Sequence, residues 1–203
     1  MNLSLYNEFR PSTFDDVVGQ EAAVTVLRKE VMEHKCSNSM LLYGHHGTGK
    51  TSIARIIAKA VNCEHPVNGN PCGVCASCKS IDSESCPDIV EIDGASNNSV
   101  DNVRSLIQQA RYAPLILNYR VFIIDEVHQL SIGAFNALLK TLEEPPATTI
   151  FILCTTEYYK IPHTIQSRCE RFLFTPLNED MICSRLQYIT EQKNVPISQE
   201  GLR

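Results

Sequence analysis

Residues 44–51, GHHGTGKT, have the types and the spacing that hold a chain of phosphate groups. Glycines let the backbone turn tightly and aim its N–H groups at phosphate oxygens, and the start of a following helix adds positive potential. Lys50 is expected to reach the β and γ phosphates, and Thr51 to offer its hydroxyl to magnesium. The predicted nucleotide-binding residues are Gly44, His45, His46, Gly47, Thr48, Gly49, Lys50, Thr51 and Ser52, with both histidines facing solvent.

The stretch VFIIDEVH, residues 121–128, supplies the acidic groups that phosphoryl transfer needs. Its apolar half predicts a buried strand, and Asp125 and Glu126 follow at the C-terminal end, where open parallel sheets bind ligands. Asp125 is expected to hold magnesium through water, and Glu126 to orient or deprotonate the attacking water. His128 makes the run similar to that of DExH helicases, but 203 residues do not supply the second ATPase-like lobe that those enzymes need. His128 therefore receives no role.

Four cysteines within NCEHPVNGNPCGVCASC, residues 62–78, have the spacing of a metal site. Eight residues separate the first two cysteines, and two residues separate each later pair, which suits four thiolates around a tetrahedral zinc ion. Four protein ligands leave no position for water, so the metal is expected to be structural. The predicted ligands are Cys63, Cys72, Cys75 and Cys78.

Alternatives to this zinc site remain open. Thiolates also suit an iron–sulfur cluster, and His65 or Cys86 are possible substitute ligands. A DNA-reading finger would need a basic helix beside the metal, whereas Lys79 is followed by the acidic stretch SIDSESCPD. The other cysteines are expected to be buried or incidental thiols: Cys36, Cys154, Cys169 and Cys183.

The elements that must position these residues alternate between strands and helices. Short apolar runs predict buried strands at MLLY (40–43), DIVEI (88–92), RVFIID (120–125), TIFILC (149–154) and RFLFT (171–175). Amphipathic stretches between them predict helices, with Ser99, Ser131 and Asn178 as N-caps. This alternation predicts an α/β fold with a parallel sheet and helices on both faces. A boundary near 176–178 would separate residues 1–177 from the start of a truncated helical domain at 178–203.

Composition limits the functional classes. The net charge of −5 and pI near 5.7 do not favour an autonomous nucleic-acid binder, so any DNA contact is expected to be local or shared with partners. The N-terminus lacks the pattern of a signal peptide, and no apolar stretch approaches membrane-spanning length. We therefore expect a cytoplasmic protein without membrane contact, in which cysteines serve as metal ligands rather than disulfides.

Several stretches together resemble the AAA+ ATPases, and among them the tau/gamma ATPase subunits of bacterial clamp loaders. They are FRPSTFDDVVGQE (9–21), GHHGTGKTSIARIIAKAVNC (44–63), PCGVCASC (71–78), EIDGASNNSVDNVR (91–104), IIDEVHQLS (123–131), FNALLKTLEEPP (135–146) and SRC (167–169). They cover nearly the whole chain in family order. The cysteine set combined with LLKTLEEPP and SRC is far more specific than the phosphate loop alone.

The resemblance implies roles that spacing does not reveal. Thr156, preceded by Thr155, matches a polar sensor near the γ-phosphate, although both threonines would also suit a simple strand end. Arg168 matches an arginine finger that acts in trans on the ATP of a neighbouring subunit. Arg10, Pro11 and Val18 match a segment beside the adenine, for which an N-terminal clasp is an equally good account. The family's second sensor falls beyond Arg203.

The implied activity is ATP hydrolysis, with ATP, Mg²⁺ and Zn²⁺ as cofactors. The implied partners are other tau/gamma copies, delta and delta-prime subunits, the sliding clamp, and primer–template DNA reached through the assembled ring. A non-catalytic stator similar to delta-prime is the alternative, although such a protein would be free to lose Lys50 or Glu126. A branch-migration motor is a third possibility, but it would not predict the cysteine set.

Overall fold

The computed structural model describes residues 5–83, 85–198 and 201. Five parallel strands form one sheet in the order β2-β3-β4-β1-β5. The strands are β1 (Ser39–Gly44), β2 (Ile89–Asp93), β3 (Arg120–Asp125), β4 (Thr149–Thr155) and β5 (Glu170–Phe174). The five strands predicted from apolar runs are confirmed, each within one residue at either end.

Eight α-helices are assigned within the described residues. They are α1 (Leu5–Glu8), α2 (Glu21–Glu33), α3 (Lys50–Asn62), α4 (Ala76–Asp82), α5 (Val100–Ala110), α6 (Ile132–Glu143), α7 (His163–Gln166) and α8 (Glu179–Gln192). Short 3₁₀ turns occupy Phe14–Asp16, Val127–Gln129 and Tyr158–Lys160. No described helix combines the length and apolar content needed to cross a bilayer.

Two apolar cores lie on opposite faces of the sheet, as the alternation of side chains along a strand requires. In β1, Leu42 faces one core with Leu27 of α2 and Ile53 of α3. Its neighbour Leu41 faces the other core with residues of α5 and α6, including Leu138. The prediction of helices on both faces is therefore confirmed.

The three predicted N-caps are confirmed by hydrogen bonds from the third backbone N–H of each helix. Ser99 Oγ accepts from Asn102 N at 3.2 Å, and Ser131 Oγ accepts from Ala134 N at 3.2 Å. Asn178 Oδ1 accepts from the backbone of α8 at 2.8 Å. Each bond satisfies one of the N–H groups that a helix start leaves without a partner.

Helix α8 lies against the N-terminal segment rather than in either core. Arg185 donates to the carbonyl of Phe9 at 2.8 Å, and the ring of Tyr188 meets that of Phe9 edge-on with centroids 6.4 Å apart. None of its described side chains is buried. The division of the chain near 176–178 stays a prediction, and the last predicted helix start, at 196–203, lies partly outside the described residues.

Candidate functional site

Three strand ends converge at one edge of the sheet. Tyr43 in β1 pairs with Thr155 in β4, and Leu153 of β4 pairs with Ile124 in β3. The phosphate loop, the acidic pair and the two threonines therefore lie at the C-terminal ends of three neighbouring strands. Ligands bind at this edge in open parallel sheets.

The phosphate loop needs glycine for two different reasons. A Cβ on Gly44 would lie 2.1 Å from the carbonyl oxygen of Phe174, so no side chain fits between β1 and β5. Gly47 and Gly49 have φ of 75° and 93°, which side chains rarely adopt. Open space lies around both positions, since no described atom comes within 4 Å of an added Cβ. The loop thus keeps a clear concave backbone before α3.

Lys50 lies across this loop. Its side-chain Nζ donates to the carbonyls of Gly44 at 3.0 Å and His45 at 2.7 Å, and the residue is 5% exposed. Burial lowers the pKa of Lys50, while the negative charges of Glu126 and Asp125 oppose that shift. His45 and His46 are exposed, as expected for spacers.

Thr51 and Asp125 meet at the start of α3. Thr51 Oγ1 donates to Asp125 Oδ2 at 2.7 Å, and Asp125 Oδ1 accepts the backbone N–H of Glu126 at 2.9 Å. A hydroxyl and a carboxylate side by side are ligand types that Mg²⁺ accepts, with water completing its octahedron. Ser52 follows in the same first turn of α3.

Glu126 is held from the end of β4. Thr156 Oγ1 donates to Glu126 Oε2 at 2.8 Å, and the backbone N–H of Thr156 lies 3.3 Å from the same oxygen. Thr155 is fully buried at the strand end, and its hydroxyl accepts from Glu157 N at 3.0 Å. Of the two threonines, Thr156 is therefore the one that contacts the predicted catalytic carboxylate.

Gln20, to which no sequence pattern assigned a role, connects three parts of the site through its side-chain amide. Its side-chain amide donates to Thr48 O at 3.3 Å and to Thr175 O at 2.8 Å, and it accepts from Thr175 N at 3.0 Å. It is 4% exposed. Buried polar side chains need such partners, and a polar residue in DVVGQE was the only sequence signal for it.

Arg168 lies apart from the phosphate loop of its own chain. Its guanidinium donates to the Glu143 carboxylate, and its Nη1 donates to the carbonyl of Thr164 at 2.6 Å. Its side chain is 28% exposed. The structure therefore does not bring Arg168 together with Lys50 or Glu126.

The N-terminal residues expected near adenine divide into two places. Arg10 and Pro11 line a cleft of about 1100 Å³ together with Arg55 and Lys59 of α3, and no described lining residue belongs to the phosphate loop. Val18 is partly buried and lies two residues before Gln20. Contact of these residues with a nucleotide base stays a prediction.

The four cysteines of the predicted metal site lie together, from the residue that ends α3 to the first turn of α4. Their sulfur atoms are all within 4.8 Å of one another. Bonds of about 2.3 Å from a tetrahedral zinc ion place thiolates somewhat under 4 Å apart, so a single ion fits this set. Backbone N–H groups of Cys72, Cys75 and Cys78 each donate to the preceding cysteine sulfur at 3.2–3.4 Å. His65 is exposed, and Cys86 lies outside the cluster.

The surroundings lower the pKa of one thiol in this cluster and raise the pKa of two others. Backbone N–H groups of Val74 and Cys75 lower the pKa of Cys72 to about 6. Burial raises the pKa of Cys63 and of Cys78. Because buried thiolates are costly without a counter-charge, this donor set is suited to a cation that stabilises them.

A turn in the cysteine insertion contacts the N-terminal segment. Asn68 and Gly69 both have positive φ, 49° and 77°, in a tight turn closed by hydrogen bonds between Val67 and Asn70. Asn70 Oδ1 accepts from Phe14 N at 2.9 Å, and its Nδ2 donates to Asp15 at 2.6 Å. The insertion is thus hydrogen-bonded to the segment that leads to Gln20.

The sheet order, with a phosphate loop after its second-from-edge strand β1 and an acidic pair after β3, defines the class. The chain has the AAA+ P-loop NTPase fold. RuvB, the Holliday junction branch migration motor of Thermotoga maritima, superposes with a TM-score of 0.67 at 19% identity, covering 96% of this chain and 58% of RuvB. A DNA polymerase III gamma subunit-related protein of the same organism gives 0.55 at 20% identity, covering 85% and 53%.

Sequence comparison gives the family. The chain belongs to the DNA polymerase III subunit family, because the family model described as DNA polymerase III, delta subunit, matches residues 19–178. The tau subunit of Bacillus subtilis (strain 168) is 51% identical over 98% of this chain and 35% of its own length. The tau subunit of Escherichia coli (strain K12) is 44% identical over 94% of this chain and 30% of its own length. The chain thus spans about a third of these relatives, at their N-terminal part.

Proposed function

We propose that this chain is the ATP-binding and ATP-hydrolysing part of a bacterial clamp-loader subunit, which opens a sliding clamp and loads it onto primed DNA in the cytoplasm. Family membership supports a place in the DNA polymerase III complex. The observation that carries the catalytic assignment is the joined set of Thr51, Asp125, Glu126 and Thr156, beside a buried Lys50.

Each residue has a defined task in this proposal. Lys50 exchanges its two loop carbonyls for phosphate oxygens, and the loop N–H groups surround the same oxygens. Magnesium, when bound, neutralises charge on the transferred phosphoryl group, and Thr51 and Asp125 would hold it. Glu126 orients the attacking water and accepts its proton, while Thr156 holds one oxygen of that carboxylate.

The proposed assembly also gives roles to Arg168, to α8 and to the four cysteines. Arg168 acts on the ATP of a neighbouring copy, which agrees with its contacts to Glu143 rather than to its own phosphate loop. The ring would contain other tau/gamma copies with delta and delta-prime, and primer–template DNA would be reached only in that assembly. Residues 1–177 form the ATPase domain, and α8 begins a helical lid. The four cysteines bind one structural zinc ion.

A stator without catalytic activity is the second candidate, because the matching family model is described as a delta subunit. A stator has no use for a lysine buried in a glycine loop or for a hydroxyl placed against a carboxylate. The hydrogen bond between Thr51 and Asp125 therefore favours the ATPase.

The test is ATP hydrolysis by the full-length subunit assembled with its partners, with and without clamp and primed DNA. Lys50→Ala is expected to abolish ATP binding or turnover, because the loop loses its only buried cation among the described residues 44–52. Lys29→Ala, which removes a 74% exposed lysine, is the matched control and should keep wild-type rates. Equal hydrolysis by wild type and Lys50→Ala would contradict the proposal.

A further inference from the structure

His128 is a buried side chain at the catalytic edge that the sequence left without a role. It lies in the 3₁₀ turn that follows β3, and its side chain is only 4% exposed. Two carboxylates face its ring from different elements, Glu126 from the end of β3 and Glu157 from the loop after β4. The ring thus lies between the acidic pair and the segment that carries Thr156.

The two ring nitrogens have separate partners. Nδ1 lies 3.2 Å from Glu126 Oε2 and 3.0 Å from Thr155 Oγ1. Nε2 lies 3.1 Å from Glu157 Oε1 and 3.0 Å from the side-chain nitrogen of Gln129. When Gln129 donates to Nε2, the ring proton is on Nδ1 and points between Glu126 and Thr155.

Glu126 Oε2 then accepts three donors. They are the Thr156 hydroxyl at 2.8 Å, the Thr156 N–H at 3.3 Å and His128 Nδ1 at 3.2 Å. Within the described chain, Oε1 has no hydrogen-bond partner among protein groups and is the oxygen that can accept a proton from water. Glu126 also has left-handed backbone angles, φ 44° and ψ 45°, a conformation that costs free energy in a non-glycine residue and that surrounding contacts must stabilise.

We propose that His128 is a positioning residue for the ATPase reaction, holding Glu126 through Nδ1 so that one carboxylate oxygen faces the attacking water. This inference rests on the proposed function. The same Nδ1 lies 3.0 Å from Thr155 Oγ1, so the ring also connects the Glu126 carboxylate to the end of β4, immediately before Thr156. Because this hydrogen bond to the Glu126 carboxylate is already present before the reaction begins, it preorganises the base.

The experiment compares four substitutions in the full-length subunit within its assembled complex. His128→Asn keeps a side-chain N–H near the position of Nδ1, whereas His128→Gln places its amide nearer to Nε2. His128→Leu keeps the volume and removes both contacts. His163→Leu, at an exposed histidine in α7, is the matched control.

His128→Leu is expected to lower kcat about tenfold, which corresponds to one hydrogen bond to a charged group. The KM and the Kd for a fluorescent ATP analogue should stay unchanged, because the phosphate loop is intact. His128→Asn should recover most of the rate and His128→Gln should not. If His128→Leu does not fold, the Asn and Gln pair decides the question alone.

Two results would overturn the inference. One is a wild-type kcat in His128→Leu, and the other is an equal loss in the Asn and Gln variants at equal unfolding temperatures, which would mean that the ring only fills space. Lys50→Ala, measured in parallel, separates this inference from the proposed function. If Lys50→Ala abolishes hydrolysis while the histidine variants change nothing, only the inference fails; if Lys50→Ala hydrolyses ATP normally, both fail.

Discussion

At the residue scale, the site is defined by which groups already have partners. Lys50 donates to two loop carbonyls that phosphate oxygens would replace. Asp125 accepts from Thr51 and from the backbone, so its orientation is set before any metal binds. These contacts match what preorganised electrostatic catalysis requires, since groups fixed beforehand do not have to reorganise during the reaction.

Glu30, in α2, is a titratable group outside the candidate functional site. Burial, a hydrogen bond with Glu170 and the negative charge of that residue together raise its pKa from an ordinary value of 4.5 to about 7. The folded protein therefore binds more protons than the unfolded chain between pH 4.5 and 7. The contribution of Glu30 to stability is fully present at low pH and is lost as the pH rises through this window.

Glu30→Gln removes this titration while keeping the shape of the side chain. We expect the variant to unfold at higher denaturant concentration than wild type at pH 8, and to show a flatter dependence of unfolding free energy on pH between 5 and 7. Glu21→Gln, at an exposed position in the same helix, is the control. Identical pH profiles for wild type and Glu30→Gln would show that the carboxyl pair has no effect on stability.

At the element scale, the cysteine insertion holds the N-terminal segment in place through hydrogen bonds of Asn70. Zinc binding would fix the ends of the loop at Cys63 and Cys72, and the turn between them carries Asn70 to Phe14 and Asp15. Two contacts thus link the cysteine cluster to the segment that ends in Gln20, which itself contacts the phosphate loop.

Removal of the metal should loosen this segment. Treatment with a chelator is expected to release about one zinc ion per chain and to lower the unfolding temperature, because metal-binding free energy contributes to folding. Faster proteolysis within residues 9–18 should accompany this change. Release of iron together with sulfide would contradict the assignment of a single zinc ion.

Asn70→Ala distinguishes the effect of the Asn70 hydrogen bonds from the effect of the metal. The variant should keep its zinc and yet show the faster proteolysis of residues 9–18, because it lacks only the bonds to Phe14 and Asp15. Val74→Ala removes a 70% exposed side chain in the same insertion and is the matched control. Unchanged proteolysis of Asn70→Ala would show that the insertion does not hold the N-terminal segment.

Local patterns in the sequence predicted the strands, the caps and the phosphate loop, because each depends on residues close together in the chain. Ser99 and Ser131 illustrate this, since each cap bonds to a residue three positions away. Gln20 could not be predicted in this way, because its partner Thr175 lies 155 residues further along the chain. The short helix α4 was also missed, since its N-cap is Cys75, which the sequence assigned only to metal binding.

At the scale of the whole molecule, the chain carries a net charge of −5. Each catalytic site is proposed to form between two neighbouring subunits, so one chain supplies only part of it. Its phosphate loop would receive an arginine from a neighbour, while its own Arg168 would serve the next copy. Within the chain, Arg168 lies in the connection between α7 and β5, and its guanidinium forms an ion pair with Glu143 at the end of α6. Activity should therefore depend on assembly.

Arg168→Ala should lower hydrolysis in the assembled complex by about a thousandfold while leaving ATP binding intact, as expected for loss of an arginine finger. The isolated subunit should lose little or nothing from the same change. Arg171→Ala, three residues further along the chain, is a suitable control because its guanidinium contacts Tyr158 within its own chain. An equal loss in the isolated subunit and in the complex would rule out action in trans.

In the proposed function, this chain hydrolyses ATP with Glu126 as its base, whereas a stator would need no such base. The most direct measurement is single-turnover ATP hydrolysis by the assembled complex carrying Glu126→Gln, which keeps the shape of the side chain and removes its basicity. We predict unchanged ATP binding and hydrolysis slower by about a hundredfold or more. Hydrolysis at the wild-type rate in Glu126→Gln would contradict the assignment.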